Sequence, residues 1–275
     1  MTKQDWIEPI SVEDMYGDWD WEGSVERVDR SLNPRPSASM LDAFEELALG
    51  PDDVVLDIGG RAGAHCLMMA ERFGCRAVSV DPSDTNNADA AQAVADHEFG
   101  RLVDVRPGTI EAIPAEDSAF DFEFSRDMFA HVRDADIALD ECYRVLKPGG
   151  AMVLHQVFGT DLLEPWEAEQ LAAHTASVVE RFDVSRFEAA CRSAGFRIER
   201  VEVIGSEWAE AMQETDAATN YLLQVSRLRR AKEELVEAIG EVAYRAMLGN
   251  ALWTIYQVLG KLESRVYVLR RTPNS

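Results

Sequence analysis

Val54-Val55-Leu56-Asp57-Ile58-Gly59-Gly60-Arg61-Ala62-Gly63-Ala64-His65 is the stretch whose reading decides the fold. Its first five residues are a short apolar run suited to a buried parallel strand. Glycines directly after a strand let the backbone turn tightly and approach a ligand. The helix predicted next, from about Ala62 to Phe73, presents unpaired N–H groups and its positive dipole end at that turn. Ala77-Val78-Ser79-Val80 reads as a second strand ending at Asp81, and Pro82 follows it. An acid at that tip lies where the ribose hydroxyls of a nucleoside would sit. The expectation is a nucleoside-bearing ligand at the carboxyl ends of the strands. The dinucleotide spacing G-x-G-x-x-G is not met, because the third position from Gly59 is Arg61. Asp57 would repel a pyrophosphate, and suits a ligand with a cationic end.

Working outward, strands keep alternating with helices. A helix near Ala88 to Phe99 leads to a third strand, Leu102 to Val105. Phe120 to Phe124 alternates with period two as a fourth strand. A helix from Asp134 to Leu146 stops at Lys147-Pro148-Gly149-Gly150 before a fifth, Ala151 to His155. Two helices follow (about Pro165–Glu180 and Ser185–Ala194), then a sixth strand from Phe196 to Ile204. Residues 207–262 are helical in pattern, with a break expected at Gly249-Asn250, and Arg265 to Leu269 closes the chain as a strand. This is α/β: a doubly wound, mostly parallel seven-stranded sheet, its last strand antiparallel and preceded by a helical insertion. Residues 1–36 read as an N-terminal arm or lid ending at Asn33-Pro34-Arg35-Pro36. Residues 37–275 read as one domain that opens with a helix to about Leu49, with 207–262 as its acceptor-covering insertion.

Composition narrows the function. A formal charge of −23 argues against nucleic acid and against an anionic membrane surface, both of which need basic protein. The four scattered cysteines form no CxxC pair, so neither a disulfide framework nor a metal site is expected. With no basic segment followed by an apolar run at the start, the expectation is a cytoplasmic protein. The oligomeric state is open, a homodimer being compatible with the sequence.

Four ordered blocks carry a resemblance: Leu56-Asp57-Ile58-Gly59 through Gly63; Gly108-Thr109-Ile110-Glu111-Ala112-Ile113-Pro114; Ser118 to Asp121 with Ser125-Arg126-Asp127-Met128-Phe129-Ala130-His131-Val132; and Ala138 through Arg144-Val145-Leu146-Lys147-Pro148-Gly149-Gly150. Their order and spacing resemble the class I S-adenosylmethionine (SAM)-dependent methyltransferases, in the ubiquinone-biosynthesis-like, small-molecule branch. The resemblance implies a Rossmann-like fold and SAM as cofactor. It implies that Asp57 and the turn of Gly59, Gly60 and Gly63 hold the methionine moiety, and that Asp81, beside Pro82, holds the ribose. Ile110 and Glu111 would flank the adenine, and Ser125 and Arg126 would lie beside the methionine end through their backbone. Two positions depart from the family pattern: Arg61 replaces its middle glycine, and Thr109 replaces an acid that meets the adenine amino group.

The reaction implied is methyl transfer to an O, N or C atom of a small-molecule metabolite or natural product. His131 is the first candidate for base, the other reading being a packing histidine at the next helix. Asp127 could orient substrate or cap that turn, and His155, ending the fifth strand, could act in the site or be a buried hydrogen-bonded histidine. His65 reads as structural. Tyr16, Trp19 and Trp21 could close over a substrate or simply fasten the arm. Trp208 and Tyr221 could line an acceptor pocket or be core. A competing reading is a SAM-fold protein that binds SAM without methylating, as a catalyst of another rearrangement or a non-catalytic partner. A nicotinamide-dependent oxidoreductase is disfavoured by the glycine pattern.

Overall fold

The strands pair in one seven-stranded sheet of order β3-β2-β1-β4-β5-β7-β6. They are β1 Val54–Ile58, β2 Arg76–Asp81, β3 Val103–Pro107, β4 Phe120–Arg126, β5 Leu146–Gly159, β6 Phe196–Ile204 and β7 Leu262–Arg271. The computed structural model describes residues 11–15, 36–205, 207–214 and 217–272. The pairs β3–β2, β2–β1, β1–β4 and β4–β5 are parallel, and β7 is antiparallel. From β1 the chain winds one way to β2 and β3, then the other way to β4 and β5. The direction reverses between β1 and β4, and open sheets of this kind bind ligands at the strands' carboxyl ends at such a point.

Both faces of the inner strands are covered, which is why β1, β2 and the end of β5 are buried residue after residue, polar positions included. On one face Leu56, Ile58, Met152 and Leu154 pack with Leu139 of the helix Ala135–Val145 and Phe187 of the helix Val184–Ser193. On the other, Phe44 meets Phe122 and Phe124 edge-on or tilted at 6.0 and 6.2 Å.

Some elements differ from the sequence expectation. The helix expected to run to Leu49 is a 3₁₀ helix, Ser37–Asp42, and one α-helical turn, Ala43–Glu46. Three-residue spacing stacks Leu41 and Phe44, both buried, on one side. The helix after β2 is Asp84–Asp96, starting where Ser83 caps Asn86. β5 starts at Leu146, because Lys147-Pro148-Gly149-Gly150 stays within the strand and shifts the register between Phe120 and Phe122. The helix Pro165–Thr175 is shorter than read.

The chain divides into two compact units. One holds the sheet: residues 38–158, 176–203 and 264–272. The other holds Gly159–Thr175 and Ile204–Glu263. In this second unit lie the helices Pro165–Thr175, Glu207–Glu214, Ala217–Arg230 and Lys232–Val258. The break expected at Gly249-Asn250 is absent. Gly249 lies inside the last helix, where an added Cβ would come 2.8 Å from both the Cβ and the carbonyl oxygen of His174. That glycine serves close approach of two helices, whereas the kink is at Gly240, with φ 82 and ψ 157. No helix among the described residues is long and apolar enough to cross a membrane.

Candidate cofactor and catalytic site

The turn after β1 is fastened to β2: the N–H groups of Gly59 and Gly60 donate to Val80 O at 2.8 and 3.3 Å. Gly59 (φ 78) and Gly63 (φ 76) are left-handed, a conformation open to glycine at little cost. Gly60 is required for another reason. A Cβ there would lie 2.2 Å from Ser79 Oγ and 3.1 Å from Asp57 Oδ2. Arg61 does take up positive φ (48), which costs an L residue about 1 kcal/mol. Its N–H donates to Asp81 Oδ2 at 3.0 Å. Asp81 Oδ1 accepts from Ser83 N–H at 2.9 Å and from Asn86 Nδ2 at 3.0 Å. Three donors thus hold a carboxylate with about four acceptor positions, leaving room for a further hydroxyl. Pro82 beside it is exposed.

Asp57 is 1% exposed and lies next to Ser79 in the β1–β2 register. Its polar neighbours are Cys66 Sγ at 3.8 Å and His65 Nδ1 at 4.0 Å. Burial, against a small opposing effect of Cys66 and with added repulsion from Asp81, pushes its carboxyl up to about 7. Ser79 Oγ is buried with no hydrogen-bond partner among the described residues. A carboxyl and a hydroxyl stacked beneath a glycine turn, with no cation against them among the described residues, fit a ligand that brings its own positive charge. These residues accept the cofactor that the sequence implies.

Beside the turn, Asp127 and His155 come together. Asp127 is left-handed (φ 55), its N–H donates to His155 O at 2.9 Å, and its Oδ1 accepts the Val157 N–H at 3.2 Å. That anchoring brings Asp127 Oδ2 to 3.3 Å from His155 Nδ1, with His155 1% exposed. Burial alone would raise the Asp127 carboxyl. His155, Arg126 and the Val157 N–H outweigh it and hold the group below its ordinary value. His155 pairs in register with Arg126 of β4, and Ser125 Oγ donates to Ile58 O at 3.3 Å. His65, read from the sequence as structural, lies close by, 4.0 Å from Asp57. Its ring meets Phe124 edge-on at 5.0 Å. Burial, then the charges of Arg126, His155 and Arg61, lower it to about 4, so it is neutral. The signal for both His65 and Ser79 was present in the sequence: one follows the glycine turn, the other sits two residues before Asp81.

The remaining candidates lie apart from that dyad or in the other unit. His131 is exposed at the end of the 3₁₀ turn Met128–His131, its Nδ1 3.1 Å from Ala176 O. Ile110 is buried and Glu111 exposed, in a loop tied down by Gly108 N–H to Asp81 O at 3.1 Å. In the helical unit Trp208 is half-buried, and Tyr221 lines a groove of about 560 Å³ with Gln224, Asn250 and Trp253. Tyr16, Trp19 and Trp21 fall outside the described residues.

Comparison with known proteins places this geometry. Residues 56–154 match the family described as "Methyltransferase domain". The chain is 32% identical over 105 residues to a sarcosine/dimethylglycine N-methyltransferase of Halorhodospira halochloris, covering 38% of each chain. It is 35% identical over 128 residues to a ubiquinone biosynthesis O-methyltransferase of Bradyrhizobium diazoefficiens, covering 46% of this chain and 47% of that one. The match thus spans less than half the length of these relatives. Among solved structures, a geranyl diphosphate methyltransferase in complex with SAM aligns at a TM-score of 0.65 and 18% identity, covering 94% of this chain and 92% of that one. Residues 56–154 thus resemble a methyltransferase domain, and the chain shares its fold with a SAM-bound methyltransferase.

Proposed function

We propose that this protein is an enzyme that transfers a methyl group from SAM to an O, N or C atom of a small molecule. The observation that carries this reading is the glycine turn seated on Asp57 and Ser79, a buried acid without a cation. The names of the relatives, which cover N- and O-methylation of small molecules, support it. SAM, when bound, supplies a methyl carbon activated by its sulfonium. In this reading Asp57 faces the cationic end and Asp81 takes a ribose hydroxyl. Ile110 and Glu111 flank the adenine, and the backbone of Ser125 and Arg126 borders the methionine end. The chain's main tasks are to align the acceptor and exclude water.

An ammonium or hydroxyl acceptor must also lose a proton. His155 is the better placed base. Asp127 Oδ2, 3.3 Å from its Nδ1, orients the ring. His131 then serves to pin Ala176 to the loop after β4. Tyr221 and Trp208 are candidates for contact with the acceptor. The neutral groove beside Tyr221 suits an uncharged ring, while the acidity of the chain suits an amine.

The test is S-adenosylhomocysteine release from SAM with a panel of amines, phenols and acids. His155→Ala is expected to lower turnover about 100-fold with cofactor affinity retained, and His131→Ala to leave it within about fivefold. The reverse pattern moves the base to His131. A second reading, cofactor binding without methylation, is favoured by Arg61 and by the three protein donors already on Asp81. Retained cofactor with no transfer to any acceptor would establish it.

A further inference from the structure

We infer that Asp57 makes this site selective for a permanently cationic nucleoside ligand and couples its binding to release of one proton, from the Asp57 carboxyl to solvent. The inference rests on the cofactor reading above and adds to it a charge-reading role for one residue.

Asp57 is 1% exposed, so water cannot neutralise it. The described groups that face it come from three neighbouring elements, and none of them supplies a positive charge. From the helix Ala64–Phe73 they are Cys66 Sγ at 3.8 Å and His65 Nδ1 at 4.0 Å. From β2 they are Ser79, its register partner, and the carboxylate of Asp81. From β4, the register partner is Phe124, an apolar ring. Cys66 is a thiol held well above its ordinary range by burial, and His65 is neutral above about pH 4. Arg61 and Arg126, the nearest guanidiniums in the turn and in β4, act on His65. A buried acid in that setting keeps its proton to neutral pH, in line with its shift to about 7. A sulfonium or ammonium placed against it reverses the balance: the O–H bond breaks, the carboxylate remains with the ligand cation, and the proton goes to buffer. A neutral nucleoside sharing the same adenosine has nothing to offer that charge, and meets a protonated acid that has no reason to ionise.

Isothermal titration of SAM into the intact protein, in two buffers of different ionisation enthalpy, reads the proton directly. At pH 6 about 0.9 proton is expected to leave per SAM bound, and at pH 8 about 0.1. SAM affinity should rise nearly tenfold per pH unit below pH 6 and level off above pH 8. 5′-Methylthioadenosine, neutral at sulfur and lacking the ammonium, should bind without proton release and with no such pH dependence. Asp57→Asn should abolish the proton release on SAM binding, with circular dichroism reporting whether that variant folds. The wild-type pH series stands without it. SAM binding with no proton release at either pH overturns the inference and leaves the cofactor reading in place. Absence of any SAM binding by the folded protein overturns both.

Discussion

Gly60 is the residue at which the whole site can be broken with one methyl group. A Cβ 2.2 Å from Ser79 Oγ forces either the turn or β2 to move. Gly60→Ala should therefore weaken S-adenosylhomocysteine binding more than tenfold, and cost about 1–3 kcal/mol in denaturant unfolding. Affinity within twofold of wild type would show that the turn does not seat the ligand. At this scale much of the site was legible. Asp57, Asp81 and the glycines could be read because their chemistry depends on position along a strand–turn–helix unit. Arg61 was legible as a difficulty, and the difficulty is physical: the chain accepts left-handed backbone there, and the Arg61 N–H is tied to Asp81. The pairing of Asp127 with His155 was not legible as a pair. The two are 28 positions apart and meet only because β4 and β5 are neighbours in register. His131, by contrast, drew attention through its place in a motif, and lies on the surface against a carbonyl.

Elements whose stop signals are local were read closely. β6 begins at Phe196 as expected, right after Gly195. Where a glycine acts through tertiary packing, the sequence misleads. Gly249 reads as a helix break because an isolated glycine lowers helix propensity. Its actual role is to let the helix Lys232–Val258 lie against Pro165–Thr175. Gly249→Ala, which would stabilise a free helix, is expected to destabilise the folded protein by about 1–3 kcal/mol, because the new methyl meets the His174 backbone. A rise in melting temperature in that variant would show that the two helices can separate without cost. Gly240, at the true kink, has no atom within 4 Å of an added Cβ, so any cost of substitution there comes from its φ of 82 alone.

For the molecule as a whole, one buried charge stands out from the apolar core. Glu123 is fully buried in β4, and both its oxygens lack a hydrogen-bond partner among the described residues. Burial raises its carboxyl well above the ordinary value, against a partial opposing effect of Arg271. Arg271 itself is committed elsewhere: its Nη1 donates to Tyr143 O at 2.7 Å and Arg144 O at 3.1 Å, and its guanidinium lies 4.5 Å over the Tyr143 ring. The folded state therefore binds a proton that the unfolded chain releases above pH 4.5 or so. Stability falls as pH rises through that window, since the native form holds more protons. Glu123→Met should match wild type near pH 4 and exceed it by about 1–4 kcal/mol at pH 8, measured by urea unfolding. A variant less stable than wild type at pH 8 would mean that Glu123 has a partner when ionised. The reversal of strand order between β1 and β4, readable from alternating strands and helices, is what brings the turn after β1 and the ends of β2, β4 and β5 to one end of the sheet.

The central claim is that this end of the sheet binds the methyltransferase cofactor. Calorimetric titration of the purified protein with S-adenosylhomocysteine, the product of methyl transfer, tests it most directly. About one site per chain is expected, with a dissociation constant of about 10 micromolar or tighter, near −7 kcal/mol. No binding heat at any temperature, in a protein shown to be folded, would contradict it.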